Sequence, residues 1–108
     1  MKAVIYNHHW WISETTPTTL QPLFEKLLLA ADFQVLNHME HHFEPQGYTC
    51  IWLLAESHLA IHTFPEEQKS YVELSSCDWG KYEQFLTLLP QYLPRAAILV
   101  SQSMSEKS

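Results

Sequence analysis

Hydrophobic and polar residues follow two different rhythms along this chain. Apolar residues recur at helical spacing after Pro17 and again after Asp78, which predicts two amphipathic helices. The threonines of 15–19 and the carboxylate of Asp78 are suitable caps for the helix starts, and Pro90 and Pro94 bracket the end of the second helix. The apolar positions are Leu20, Phe24, Leu27, Leu28 and Ala31, and then Trp79, Tyr82, Phe85, Leu86 and Leu89.

Other segments are rich in β-branched and aromatic residues and predict strands. They are Ala3–Tyr6 continued by Trp10–Ile12, Phe33–His42, Tyr48–Ala55, Leu59–Phe64, Tyr71–Leu74 and Ala96–Val100. The segment Tyr48–Ala55 is almost continuously apolar, which is typical of a strand covered on both faces. A tight turn is expected at Glu44-Pro45-Gln46-Gly47, and residues 101–108 are polar enough to predict a frayed tail.

Strands in hairpin succession with two interspersed helices predict an α+β fold. We expect a two-layer sandwich, in which an antiparallel sheet carries both helices on one face. A chain of 108 residues forms one domain, 1–108, with one modest core. A second subunit packed sheet to sheet would cover the other face, so we expect a dimer with αββα-type layers.

Composition narrows the function classes. A net charge of -6 with only six Lys and Arg residues argues against a nucleic-acid partner, because a phosphate backbone requires clustered cations. No apolar run approaches the roughly 20 residues of a membrane span, and the first residues do not resemble a signal peptide. We therefore expect a cytoplasmic protein without membrane contact, in which Cys50 and Cys77 are reduced thiols.

Seven histidines raise the question of a metal site. His58 and His62 have the spacing of a metalloprotease helix, but their segment reads as a strand. Residues four apart in a strand lie roughly 13 Å from each other, too far to share one zinc ion. Only long-range folding could bring His38, His41 and His42 into a site, so the sequence predicts no metal.

Ser57 lacks the glycine-flanked elbow of a hydrolase nucleophile and, taken alone, reads as a turn residue. Its surroundings change that interpretation. The strings FEPQG at 43–47 and LLAESHLAIHTFPE at 53–66, followed by Cys77, closely resemble the pyruvoyl-dependent S-adenosylmethionine decarboxylase proenzymes of prokaryotes. The similarity covers roughly residues 33–82 well and the helix before them loosely.

The resemblance implies a carboxy-lyase that makes its own cofactor. Decarboxylation of an amino acid leaves a carbanion that no side chain can delocalise adequately, so an electrophilic carbonyl is needed. Ser57 would be the precursor of a pyruvoyl group, formed by cleavage after Glu56 into chains 1–56 and 57–108. The pyruvoyl ketone would bind the substrate amine as a Schiff base, and the product would serve polyamine (spermidine) biosynthesis.

The resemblance also implies roles for residues around Ser57. His62 matches the histidine implicated in processing, where a base removes the α-proton of the serine ester. Cys77 matches the cysteine that returns a proton to the decarboxylated carbon. Thr49 stands where the family has a serine, and its hydroxyl can assist processing or orientation.

Phe43 and Phe64 match the positions whose rings sandwich the adenine of S-adenosylmethionine, and Glu66 matches the carboxylate that binds the ribose hydroxyls. The family further implies a homodimer with shared active sites.

Some positions depart from the family pattern: Phe64 replaces a tryptophan, Cys50 replaces a glycine, and residues 67–69 replace an aromatic-glycine-aromatic stretch.

The first strand, with Tyr6-Asn7-His8-His9, also departs from the family, as does Asp78 in place of a glycine. In the family that the chain resembles, the first strand helps to hold the amino-acid end of the substrate, so this departure leaves the substrate open. Two alternatives to the main interpretation remain. One is decarboxylation of another amino acid, ornithine or arginine. The other is a non-processing homologue that acts as a binding or regulatory protein.

Overall fold

A computed structural model describes residues 3–107 of the chain, with side chains described as far as Met104. Six strands form one sheet and two helices lie against it, which confirms the predicted α+β class. In chain order the elements are β1 (Val4–Ile12), α1 (Pro17–Ala30), β2 (Val35–His42), β3 (Tyr48–Leu54), β4 (Ser57–Phe64), β5 (Lys69–Ser76), α2 (Trp79–Tyr92) and β6 (Ile98–Lys107). Short 3-10 turns cover Pro65–Glu67 and Arg95–Ala97.

The strands lie in the order β2-β3-β4-β5-β1-β6, and every neighbouring pair is antiparallel. Strands β2 to β5 follow one another as a meander of hairpins. The first strand of the chain inserts between β5 and β6. Formation of the β5-β1-β6 part of the sheet therefore requires contacts between residues far apart in sequence.

One face of the sheet forms the core with the helices. Trp10, Val72, Ile61 and Cys50 are cross-strand neighbours, so their side chains lie in one row on the same face, and each is at most 2% exposed. The buried helix residues that pack on this face are Leu20, Phe24, Leu27 and Leu28 of α1 and Tyr82, Phe85 and Leu89 of α2.

Each helix begins where its sequence predicts. Pro17 occupies the first turn of α1, where a missing N–H is harmless. Asp78 caps α2, because its Oδ1 accepts a hydrogen bond from the Lys81 N–H at 3.0 Å. The two helices meet through Phe24 and Phe85, whose stacked rings lie 6.4 Å apart.

The opposite face of the sheet is open in the single chain. Burial alternates along β3: Tyr48, Cys50, Trp52 and Leu54 are buried, whereas Leu53 is 50% exposed. The sequence predicts that β3 is covered on both faces. Within one chain the helices cover only one face of β3. Met39 of β2, 62% exposed, lies on the same open face. The dimer that would cover this face stays a prediction.

Strand β6 corrects the expectation of a frayed tail at 101–108. It begins at Ile98 and continues to Lys107, and its whole length pairs with β1; residue 108 lies outside the described part. The polar sequence suits this position because His8 of β1 satisfies two of its hydroxyls. Ring nitrogens of His8 contact the Ser101 hydroxyl, at 2.6 Å, and the Ser103 hydroxyl.

Neither helix within residues 3–107 combines the length and apolar character that crossing a membrane requires.

Candidate active site

Glu56 and Ser57 lie at the hairpin that joins β3 to β4. Leu54 pairs with Ser57, so Ala55 and Glu56 form the turn. Ser57 has a φ of 146°, in a region that side-chain-bearing residues rarely occupy. Such conformations cost on the order of 1–3 kcal/mol and concentrate at functional sites. The residue that the sequence predicts as the cleavage point therefore carries local backbone strain.

Neighbouring residues hold Glu56 through both its backbone carbonyl and its side-chain carboxylate. The Glu56 carbonyl oxygen accepts a hydrogen bond from the Cys77 N–H at 3.0 Å. Its carboxylate accepts a 3.3 Å hydrogen bond from the Gln34 N–H and pairs with the ammonium group of Lys81 on α2. The hydrogen bond to Glu56 raises the pKa of Lys81 above its usual value. The carbonyl that precedes Ser57 is thus fixed and polarised by an N–H donor.

Thr49 and His62 form a second pair, on the open face of the sheet. They are direct neighbours across β3 and β4, and Thr49 Oγ1 lies 3.0 Å from His62 Nδ1. The ring of Tyr71 on β5 stacks beside the imidazole, with 6.4 Å between the ring centroids. A partner at Nδ1 fixes the orientation of the ring and leaves Nε2 for proton transfer.

A cavity of about 340 Å³ lies beside this pair. Phe43 and Phe64 line it, and Glu66 projects from the short helical turn that follows β4. Gln46 donates a 3.2 Å hydrogen bond to Glu66 Oε2, which restricts the carboxylate. Gly47 closes the turn with a φ of 112°, which favours glycine. Two aromatic rings and a restrained carboxylate can hold a flat, hydroxyl-bearing molecule.

The predicted site residues fall into two groups. Glu56, Ser57 and Cys77 meet at one end of β4, and Thr49, His62 and the cavity lie toward the other end. Ser57 and His62 are five positions apart on β4. At about 3.3 Å per residue this is roughly 16 Å, so one chain does not bring the imidazole to the serine.

Three contributing residues were not predicted from the sequence. Lys81 reaches Glu56 from a different element, which local patterns cannot show. The sequence predicts Gln46 only as part of a turn and Tyr71 only as part of a strand. For Tyr71 a signal was available: correct pairing of the short segment 71–74 with 59–64 would have placed the ring next to His62.

Together the fold and these two groups of residues define a class: a two-layer α+β protein with a strained Glu-Ser hairpin beside a cysteine, and an aromatic cavity on the same sheet. A family model described as S-adenosylmethionine decarboxylase matches residues 15–104. The chain belongs to the S-adenosylmethionine decarboxylase family, which confirms the resemblance seen in the sequence.

Individual relatives agree with this assignment. An S-adenosylmethionine decarboxylase proenzyme of Prochlorococcus marinus (strain MIT 9313) is 50% identical over 60 residues, which cover 55% of this chain and 48% of that protein. An S-adenosylmethionine decarboxylase proenzyme 2 of Bacillus cereus is 43% identical over 54 residues, covering 47% of this chain and 44% of the relative. The chain thus spans about half the length of these curated relatives.

A solved structure extends the likeness to nearly the whole chain. The crystal structure of the adenosylmethionine decarboxylase from Aquifex aeolicus VF5 superposes with a TM-score of 0.75 at 20% sequence identity, covering 97% of this chain and 89% of that one. At this identity the likeness concerns the fold.

Proposed function

We propose that this chain is a pyruvoyl-dependent S-adenosylmethionine decarboxylase that cuts itself between Glu56 and Ser57. The observation that carries the proposal is the strained Ser57, φ 146°, next to a carbonyl that accepts the Cys77 N–H at 3.0 Å. Strain at the serine raises the energy of the uncut peptide, and the N–H donor stabilises negative charge on the carbonyl oxygen. Membership of the family and the proenzyme names of the relatives support the same reading.

In this proposal Ser57 Oγ attacks the Glu56 carbonyl carbon, the C–N bond breaks, and the peptide becomes an ester with a free amine. Loss of the Ser57 α-proton and cleavage of the Cβ–O bond release Glu56 as a carboxylate. Water then displaces ammonia from the remaining unsaturated amine and leaves the ketone. The ion pair with Lys81 holds the Glu56 side chain while its carbonyl reacts. The pyruvoyl carbonyl, once formed, supplies the electrophile that decarboxylation needs.

The base for the α-proton is His62 of a second subunit. Within one chain His62 lies roughly 16 Å from Ser57 along β4, too far for proton transfer. A second copy turned about a two-fold axis, with its open sheet face against this one, would bring its Thr49–His62 pair toward the hairpin end of β4. The exposed side chains of Met39 and Leu53 on that face favour such a contact. A homodimer with shared active sites is therefore part of the proposal.

The residues that line the cavity indicate how the nucleoside part of the substrate would bind. Phe43 and Phe64 stack on the adenine, and Glu66, held by Gln46, accepts hydrogen bonds from the ribose hydroxyls. Cys77 is exposed beside the hairpin, where its thiol can return a proton to the decarboxylated carbon. The product would be an aminopropyl donor of the kind used in spermidine formation, and a cytoplasmic location stays a prediction.

Intact mass spectrometry of purified protein tests self-cleavage. We expect two fragments, 1–56 and 57–108, the second without a free amino terminus. Ser57→Ala should leave one uncut chain, and Ser13→Ala, a change at an exposed serine elsewhere, should cut normally. A wild-type chain that stays intact through prolonged incubation would exclude the proposal.

Release of carbon dioxide from the cut protein tests the substrate. S-adenosylmethionine should be turned over and Glu66→Gln should raise its KM. Ornithine and arginine serve as comparison substrates, because neither carries the nucleoside that the cavity is proposed to bind. Faster turnover of either amino acid would overturn the substrate assignment while leaving self-cleavage intact.

A further inference from the structure

Three metal-ligating side chains converge on the helix-facing side of the sheet, at its β2 edge. Glu40 of β2 lies directly opposite Cys50 of β3, and His38 lies two positions before Glu40 on the same face. One donor atom from each of the three residues lies within 4.8 Å of the others. We propose that His38, Glu40 and Cys50, the β2–β3 cluster, bind a divalent transition-metal ion of the zinc type.

The spacing of the donor atoms fits one ion. His38 Nε2 lies 2.9 Å from Cys50 Sγ and 3.9 Å from Glu40 Oε1. Zinc takes sulfur at about 2.3 Å and nitrogen or oxygen at about 2.0–2.2 Å, so ligand atoms around one ion lie about 3–4 Å apart. Small side-chain adjustments bring the three atoms to that geometry.

The chemistry of the donors selects the class of metal. A thiolate, an imidazole and a carboxylate are the three ligand types of protein zinc sites, whereas calcium and magnesium prefer sets made of oxygen. Three protein ligands leave a fourth tetrahedral position for water. The side chains of His38 and Glu40 are 28% and 41% exposed, so an ion can enter from solvent and reach the buried Cys50.

Neighbouring side chains already orient two of the ligands. The Tyr48 hydroxyl donates a 2.6 Å hydrogen bond to Glu40 Oε1. The ring of Trp52 stacks on His38, with 5.1 Å between the centroids, and its Nε1 is held by Glu25 of α1 at 3.2 Å. Contacts of this kind normally fix the ligands of a metal site and strengthen binding.

The cluster is separate from the site proposed for catalysis. Cys50 and Thr49 are adjacent in β3 and therefore point to opposite faces of the sheet. Binding forms one metal–sulfur bond and releases the Cys50 thiol proton to solvent, with no change of oxidation state. The ion would tie the edge strand β2 to β3, and this proposal departs from the expectation of no metal, which was based on the sequence.

Cobalt binding to the full-length protein tests the proposal. Protein purified without an affinity tag, treated with chelator and dialysed, is titrated with Co²⁺ and then with Zn²⁺. We expect one equivalent of Co²⁺, a thiolate-to-cobalt charge-transfer absorption, and loss of that absorption when Zn²⁺ displaces the cobalt. The metal content is measured after gel filtration.

Variants identify the ligands. Cys50→Ser should abolish the charge-transfer absorption, whereas the matched change Cys77→Ser should keep it. His38→Gln, at a partly exposed position, should weaken cobalt binding by more than the roughly 10–100-fold expected when only an outer contact is lost, as in Tyr48→Phe. His41→Gln, on the other face of β2, should leave binding unchanged.

Absence of the thiolate absorption in wild type, or its persistence in Cys50→Ser, would overturn the proposal. Unchanged affinity in His38→Gln would do the same, and far-UV circular dichroism verifies that each variant is folded. These readouts do not require decarboxylase activity, so they are independent of the function proposed above.

Discussion

Protonation of His8 should make folding strongly pH-dependent. His8 is 6% exposed, and its ring nitrogens are hydrogen-bonded to the hydroxyls of Ser101 and Ser103. Burial, with a smaller contribution from the neighbouring His9, lowers the pKa of His8 to about 4 from its usual 6.5. The unfolded chain therefore binds a proton at a higher pH than the folded chain does.

Proton linkage gives the sign and the size of the change in the free energy of unfolding with pH. Between pH 6.5 and about 4 the unfolded state holds more protons, so the free energy of unfolding falls as the pH falls. One pKa unit corresponds to about 1.4 kcal/mol, and the loss from His8 alone between pH 7 and pH 5 is roughly 2 kcal/mol. Most of this stability is present above the unfolded pKa and is gone below the folded one.

Urea denaturation of the uncut Ser57→Ala protein measures the effect, because an intact chain can unfold as a single unit. The control is the same protein with His8→Gln, whose amide can still bond the serine hydroxyls but does not titrate. We expect the stability of the His8 protein to fall by roughly 2 kcal/mol more than that of the control between pH 7 and pH 5. Parallel pH profiles for the two proteins would refute the reasoning.

Three other perturbations test separate contacts. Gly47→Ala should lower the free energy of unfolding of the uncut protein by about 1 kcal/mol, because the φ of 112° strains any side-chain-bearing residue; equal urea midpoints would contradict this. Trp52→Phe should lower the free energy of unfolding by about 1–3 kcal/mol by removing the 3.2 Å hydrogen bond to Glu25. The loss should shrink if Glu25→Met, which has no carboxylate acceptor, is already present. Lys81→Met should slow self-cleavage roughly tenfold by freeing the Glu56 side chain, and a gel time course at the wild-type rate would disprove that role.

Local patterns predicted the elements well where periodicity is strong. The helical spacing in both helices and the cap at Asp78 are confirmed, as is the antiparallel α+β arrangement. The first strand was harder to predict, because His8 and His9 interrupt its apolar run. In the structure His8 nevertheless shares the buried face with Trp10. A polar residue on a core face depends on partners from β6, which the sequence does not reveal.

Site geometry was predictable only in part. The extended reading of β4 already implied that residues along it are far apart, and the same argument applied to His58 and His62 also separates Ser57 from His62. The cluster of His38 with Cys50 was not predictable, because it depends on the register between β2 and β3. A shift of that register by one residue would turn one of the two side chains to the other face.

The strand order has a consequence for the protein after it is cut. Cleavage after Glu56 would put β1, β2 and β3 in one fragment and β4, β5 and β6 in the other, yet the sheet runs β2-β3-β4-β5-β1-β6. The fragments then interlock, with β1 of the first held on both sides by strands of the second. Dissociation would require the hydrogen bonds of three strand pairs, β3-β4, β5-β1 and β1-β6, to break at the same time. The cleaved protein should therefore stay assembled although no covalent bond joins its fragments. After denaturant separates the two fragments, they would have to associate again in a step whose rate depends on protein concentration. Refolding of one uncut chain does not include that step.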